Sequence, residues 1–229
     1  NKGARYIMKY DLVLFDLDGT LANTYKSIAR YVNSSLYELG LKTYSLDYFY
    51  NLIGNGMSGV IEMIFDMEKY DEKKISKKEV MSTFSRNYEK YYDYEVELYP
   101  NIDKLLDFLE ENNIKKGIVT NKEHKLAVNM VKKLLKKWEF VDIVGSDDKK
   151  HPRKPNPYGV NMIVEKTKIP KEKVLYVGDM KVDLDTAKNS GVDIIYCNWG
   201  FGHSKNEKDI PKNIKVENVD ELIKKIELD

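Results

Sequence analysis

Asp16 and Asp18, in the segment Asp16-Leu17-Asp18-Gly19-Thr20, follow directly on the apolar run Leu12 to Phe15. A spacing of two along an extended chain points both carboxylates to the same side, so two acids share one site. Gly19 permits a tight turn there with close backbone approach. A second pair, Asp179 and Asp183 in Gly178-Asp179-Met180-Lys181-Val182-Asp183, follows the apolar run Val174 to Val177. These two lie one helical turn apart if a helix begins there. Acids converging from two strand ends suit a hard cation such as Mg²⁺, which takes carboxylate and carbonyl oxygens, keeps several waters and bridges to a substrate phosphate. Each acid also has an ordinary structural reading, because Asp and Thr cap surface turns and an Asp at a helix start is a common N-cap.

Two further segments offer groups for phosphate. Thr120-Asn121 ends the apolar run Ile118-Val119 and presents a hydroxyl, an amide and backbone N–H groups, although the same dipeptide serves as a routine strand-to-helix cap. Lys154 sits in His151-Pro152-Arg153-Lys154-Pro155-Asn156-Pro157, where the prolines forbid regular helix and pre-set the backbone. Asn156 and Pro157 read as an N-cap followed by the first helical position, which holds Lys154 just ahead of a helix. An ammonium so positioned can neutralise phosphate or separate two carboxylates, and Arg153 is its neighbouring rival. Gly54-Asn55-Gly56 forms a flexible loop that can face a ligand or merely connect two helices.

The elements that must position these residues emerge from apolar patterning. Leu12 to Phe15, Ile118-Val119, Val141 to Val144, Val174 to Val177 and Ile194 to Tyr196 read as buried parallel strands. Between them, Ile102 to Leu109, Leu126 to Leu135, Val160 to Val164 and Leu184 to Ala187 suit helices packed on the sheet. This alternation predicts an α/β, doubly wound parallel-sheet (Rossmann-like) core. Residues 22–97 break it with helical patterns at Ile28 to Leu39, Val60 to Met67 and Val80 to Tyr94. They are expected to form an all-helical insertion, with residues 8–21 and 98–229 making the core and Pro100 marking re-entry.

At 229 residues the chain can build one sizeable core with an inserted module. Lys and Arg number 38 against 37 Asp and Glu, a net charge of +1 with no long single-sign block, so nucleic acid is not expected as a partner. The single cysteine, Cys197, excludes an intramolecular disulfide, and no apolar run approaches the length needed to span a bilayer. A cytoplasmic enzyme, monomer or homodimer, is expected. The residues ahead of Met8 carry no apolar signal-peptide core and could precede a native start at Met8, so that stretch is set aside for fold reasoning.

In this order and spacing, the four segments resemble the four motifs of the haloacid dehalogenase superfamily of phosphohydrolases, across nearly the whole chain. Phe15 to Leu21 is similar to the first motif, Val119-Thr120-Asn121 to the second, Lys154-Pro155-Asn156-Pro157 to the third, and Gly178-Asp179 with Asp183 to the fourth. The resemblance implies that Asp16 attacks phosphorus to form an aspartyl-phosphate, while Asp18 protonates the leaving oxygen and later activates water. It implies phosphoryl binding by Thr120, Asn121 and Lys154, and Mg²⁺ held by Asp16, Asp18 through its backbone carbonyl, and Asp179, with Asp183 close by. The helical insertion resembles the cap that closes over such sites and selects the substrate. Leu52-Ile53-Gly54-Asn55-Gly56-Met57 and Thr120-Asn121-Lys122 are similar to phosphoglycolate phosphatase-like members, which implies a small phosphomonoester as substrate and gives Gly54, Asn55 and Gly56 a part in specificity. Asn198-Trp199-Gly200-Phe201-Gly202 resembles the loop after the last core strand of these enzymes. Asn23 is a departure, since many relatives carry an acid there.

Other activities compete with this one. Carbon–halogen displacement needs neither an acid at Asp18 nor a metal. A sugar-phosphate mutase, a pyrophosphatase or a nucleotidase of the same superfamily would use the same residues. A phospho-accepting signalling domain also combines Asp, Thr and Lys around Mg²⁺, but its phospho-acceptor lies on an internal strand, whereas here the paired acids open the chain and a helical insertion comes after them.

Overall fold

A computed structural model describes residues 7–228. The expectation about the stretch ahead of Met8 therefore falls, for residues 1–6, outside the described residues. The first strand, β1 (Leu12–Phe15), shows why a continuous apolar run is needed: all four residues are buried, with Val13 and Phe15 in the core cluster on one face and Leu12 and Leu14 in the cluster on the other. A parallel strand covered on both faces has no polar side to show.

From β1 the chain leaves through a short strand, β2 (Ala22–Asn23), into α1 (Tyr25–Glu38), α2 (Gly56–Glu68) and α3 (Lys77–Tyr91). It returns through β3 (Glu97–Leu98), which pairs antiparallel with β2, Ala22 opposite Leu98. The three helices bury a cluster that includes Val32, Leu36, Phe49, Ile64 and Phe84, and Met180 and Phe201 join it from the sheet side. Ser76 caps α3, its hydroxyl accepting from Glu79 N–H at 3.1 Å.

The remaining elements are α4 (Ile102–Glu111), β4 (Lys115–Glu123), α5 (His124–Leu134), β5 (Ile143–Ser146), α6 (Tyr158–Thr167), β6 (Val174–Gly178), α7 (Lys181–Ser190), β7 (Asp193–Cys197), α8 (Phe201–Ser204), β8 (Lys215–Val216) and α9 (Val219–Ile226). The sheet runs β5-β4-β1-β6-β7-β8, and every pair is parallel. Apolar residues of α4, α5 and α9 pack on one face, those of α6 and α7 on the other. The α/β fold is thus the expected one.

Four details differ from what the sequence predicts. The insertion over residues 22–97 is not wholly helical, because β2 and Glu97 of β3 make an antiparallel ribbon at its base, too short to show as a strand pattern. β4 continues to Glu123, with an irregular register between Val119 and Glu123, so Thr120 and Asn121 lie inside the strand and not at its end. Pro157 is itself the cap of α6, which begins at Tyr158, while the Asn156 side chain accepts from Tyr158 N–H at 2.9 Å. Phe201 and Gly202 of the expected Asn198–Gly202 loop open α8, and beyond it β8 adds an edge strand to the sheet and α9 packs on one face; β8 is too short and too polar to read as an apolar run.

Candidate active site

The order of the sheet decides where a ligand can sit. β1 is flanked by β4 on one side and β6 on the other, so successive connections leave it in opposite directions and open a crevice at the carboxyl ends of these strands. Phe15 stands level with Ile118 and with Val177. Asp16, one residue beyond this level after β1, and Thr120 and Asp179, two residues beyond it on the paths of β4 and β6, are therefore delivered to one edge.

Asp16, Asp179 and Asp183 are all buried, and each presents an oxygen within 4.8 Å of the others. Asp16 Oδ1 accepts from Leu17 N–H at 2.7 Å. Asp179 accepts from Thr20 Oγ1 through Oδ1 and from Phe201 N–H through Oδ2, each at 2.8 Å. Glycine is required beside it: a Cβ on Gly19, whose φ is +84°, would lie 2.2 Å from Asp179 Oδ2. Asp183 is engaged more completely. Its Oδ2 accepts from Asp179 and Met180 N–H at 3.0 and 3.1 Å, reaching back over the start of α7, and its Oδ1 meets Lys154 Nζ at 2.6 Å and the Tyr176 hydroxyl at 3.0 Å. A carboxylate has about four acceptor sites, so Asp183 is nearly saturated by protein while Asp16 and Asp179 keep open positions.

Two buried lysines answer these acids. Lys154 Nζ lies 3.1 Å from Asp16 Oδ2, 2.6 Å from Asp183 Oδ1 and 2.9 Å from the Tyr176 hydroxyl. Lys122 Nζ lies 3.2 and 3.3 Å from the two oxygens of Asp18, and Thr24 Oγ1 donates to Asp18 Oδ1 at 2.6 Å. Burial alone would push both lysines down, but the facing carboxylates outweigh it and hold both ammoniums charged. Burial pushes Asp16 up to about 7, with Lys154 opposing and Asp183 and Asp18 adding to the rise. Asp179 is raised by burial and then by Asp16 and Asp183. Four carboxylates thus face two ammoniums, a shortfall of two positive charges in a buried place. The deficit, the all-oxygen donor set and the open positions on Asp16 and Asp179 fit one hard divalent cation.

That deficit has a measurable consequence. The Asp16 carboxyl titrates near its ordinary 3.8 in the unfolded chain and at about 7 in the metal-free fold. Between these values the folded protein holds a proton that the unfolded chain has released, so its contribution to stability falls as pH rises through that window. A divalent cation needs the ionised acids and relieves the cost. The rise in Tm on adding Mg²⁺ should therefore be larger at about pH 8 than at about pH 5, read by thermal unfolding. An equal rise at both would contradict the assignment of these acids to the cation.

A narrow cleft opens onto Asp16, Asp18 and Thr120, and its far wall comes from Ile28, Tyr31, Ile53, Met57 and Val60 in the helical segment. Gly54 and Gly56 line it, whereas Asn55 lies behind, accepting from Asn121 Nδ2 at 3.3 Å and from Arg153 Nη1 at 3.1 Å through its carbonyl. Asn121 lines the cleft, but its amide is spent on the protein: Oδ1 accepts from Lys154 N–H at 2.7 Å and Nδ2 reaches Gly54 O and Lys154 O at 3.3 Å. It couples the Lys154 loop to the Gly54 loop. Lys154 is enclosed behind Asp16. Four residues at the site, Thr24, Tyr176, Lys122 and Glu123, receive no role from the sequence alone. Lys122 carried one signal, because it is two residues from Thr120 in an extended segment and so shares its side; Glu123 and Tyr176 gave none, the one resembling the polar end of a strand and the other a core aromatic.

The family model for haloacid dehalogenase-like hydrolase matches residues 13–197, most of the chain. The chain belongs to that family. A phosphoglycolate phosphatase of Aquifex aeolicus is 30% identical over 190 residues, 83% of this chain and 85% of that protein. One from Pseudomonas syringae pv. tomato is 26% identical over 198 residues, covering 85% of this chain and 71% of the relative. Among solved structures, one from Lactobacillus delbrueckii subsp. bulgaricus superposes with a TM-score of 0.83 at 23% identity, covering 96% of this chain and 99% of its own. CbbY from Rhodobacter sphaeroides in complex with phosphate gives 0.80 at 19% identity, covering 93% and 96%. At such identities the two structures carry the fold alone. The chain is a phosphatase of the haloacid dehalogenase kind, similar to the phosphoglycolate phosphatases. No helix among its described residues is long and apolar enough to cross a membrane.

Proposed function

We propose that this chain is a Mg²⁺-dependent phosphatase that hydrolyses a small phosphomonoester through an aspartyl-phosphate on Asp16. The observation that carries the reading is the meeting of Asp16 and Asp18 at the floor of a cleft roofed by the helical segment, with Lys154 against one acid and Lys122 against the other. On this reading residues 22–97 are the cap, residues 8–21 and 98–229 the core, and the β2–β3 ribbon joins them.

A carboxylate oxygen of Asp16 attacks phosphorus, the bond from phosphorus to the alcohol oxygen breaks, and Asp18 gives that oxygen its proton. Asp18 then takes a proton from water, whose oxygen attacks the same phosphorus; the acyl-phosphate bond breaks, releasing inorganic phosphate and restoring Asp16. Thr120 lines the cleft and offers donors to the phosphoryl oxygens, and Lys154 balances the charge on Asp16. Asn121 acts by fixing the Lys154 loop, and Asp183 by fixing Lys154 and the turn at Asp179. Asp16 and Asp179, with the Asp18 carbonyl, would hold Mg²⁺, which when bound neutralises charge on the phosphoryl oxygens.

Phosphoglycolate, the substrate in the names of the relatives, is the reference compound. Steady-state kcat/KM across phosphoglycolate, pyrophosphate, nucleotides and hexose phosphates tests the reading. Small monoesters should be turned over repeatedly, with activity lost on exhaustive chelation and restored by Mg²⁺. Activity that survives chelation, or a single stoichiometric phosphorylation without release, would contradict it.

A further inference from the structure

Beyond Asp16, Asp18 and the neighbouring Thr120 and Asn121, the lining of the cleft is apolar or glycine except for Tyr31, Lys122 and Glu123. Lys122 is the only cation lining the cleft among the described residues, and its ammonium is already bound to both oxygens of Asp18. Arg153 does not line the cleft; its guanidinium is held by Asn55 O and Glu62. Glu123 adds an acid, its Oε1 accepting from Met57 N–H at 2.7 Å at the start of α2.

Tyr31 is 4% exposed, yet its hydroxyl has no hydrogen-bond partner among the described residues while the residue lines the cleft. Its ring is held edge-on by Tyr88 at 5.4 Å and by Phe84 at 6.1 Å between centroids, which fixes where the hydroxyl sits. Tyr88 in turn carries a wholly enclosed hydroxyl without a partner, and its ring lies 5.2 Å from the Lys122 ammonium. The Tyr31 hydroxyl, open to the cleft, therefore has donor and acceptor capacity free for a group bound there.

We propose that the cleft selects phosphomonoesters of an uncharged, hydroxyl-bearing alcohol over those whose alcohol carries a carboxylate, with Tyr31 and Glu123 as the residues that determine the choice. The proposal rests on the reading of the site as a phosphomonoester hydrolase and narrows its substrate class. With the phosphoryl group at Asp16 and Asp18, the alcohol portion extends toward the helical wall. A hydroxyl there can accept from Tyr31 and donate to Glu123 at once. A carboxylate can only accept; it meets the Glu123 charge and finds no cation free to answer it.

The matched pair hydroxyethyl phosphate and phosphoglycolate, equal in carbon chain length, separates the two tails. Wild-type kcat/KM should favour hydroxyethyl phosphate by roughly ten- to a hundredfold. Glu123→Gln keeps an acceptor for Met57 N–H while removing the charge, and Tyr31→Phe removes only the hydroxyl; each should shrink that preference by about tenfold. A wild-type preference for phosphoglycolate, a ratio near one, or a ratio that neither variant moves would overturn the proposal, and the wild-type ratio decides even where a variant fails to fold. Hydrolysis of neither compound nor of p-nitrophenyl phosphate would instead overturn the phosphatase reading beneath it.

Discussion

Asp16→Asn should lower kcat for any phosphomonoester by at least about three orders of magnitude while leaving the fold in place. The amide matches the carboxylate in shape and its oxygen can still accept from Leu17 N–H, so the turn after β1 keeps its hydrogen bond. It cannot attack phosphorus. The substitution also removes one buried negative charge where burial already raises the carboxyl, so the metal-free variant should unfold no earlier than wild type above neutral pH. Loss of activity together with retained or raised stability separates a chemical role from a structural one. Undiminished turnover in a correctly folded variant would remove Asp16 as the nucleophile.

Asp18→Asn should act differently, slowing turnover by about two to four orders of magnitude according to the leaving group. Without a proton donor, phosphorylation of Asp16 suffers with alkyl esters, whose alkoxide is a poor leaving group, and much less with p-nitrophenyl phosphate. Without a base for water, any aspartyl-phosphate that forms should persist. Pre-steady-state mixing with p-nitrophenyl phosphate should then give a burst of one equivalent of nitrophenol followed by slow release of phosphate. The contacts of Asp18 favour this role: Thr24 and Lys122 hold its carboxylate in one place, and it keeps more contact with the cleft than the fully enclosed Asp183. Equal slowing with both classes of leaving group and no burst would assign Asp18 to positioning alone.

The parts of this site legible in the sequence share a physical reason. Asp16, Asp18 and Asp179 come just after uninterrupted apolar runs, and a buried parallel strand both produces such a run and delivers the residues after it to the carboxyl edge of the sheet. Lys154 stood out through its prolines, and the fold does seal it against Asp16 and Asp183. The division of labour among neighbours was not legible. Asn121 reads from its type as a ligand-binding amide, but its donors and acceptor close the Lys154 and Gly54 loops, contacts set by tertiary approach across 33 and 67 residues of chain. Asp183 reads like Asp179, and only the hydrogen bonds distinguish a saturated carboxylate from an open one. Lys122 and Glu123 pass for the polar tail of a strand, because their partners Asp18 and Met57 come from the chain's opening segment and from a helix far from β4 in sequence.

Acid-quench mapping of the covalent intermediate tests the central claim most directly. Asp18→Asn, stopped in acid during turnover of p-nitrophenyl phosphate in the presence of Mg²⁺, is digested and its peptides are analysed by mass spectrometry. A phosphoryl group should be found on the peptide that carries Asp16, and hydroxylamine, which cleaves acyl phosphates, should remove it. A phosphoryl group on any other residue, or no covalent phosphate in a variant that still releases nitrophenol, would contradict the account.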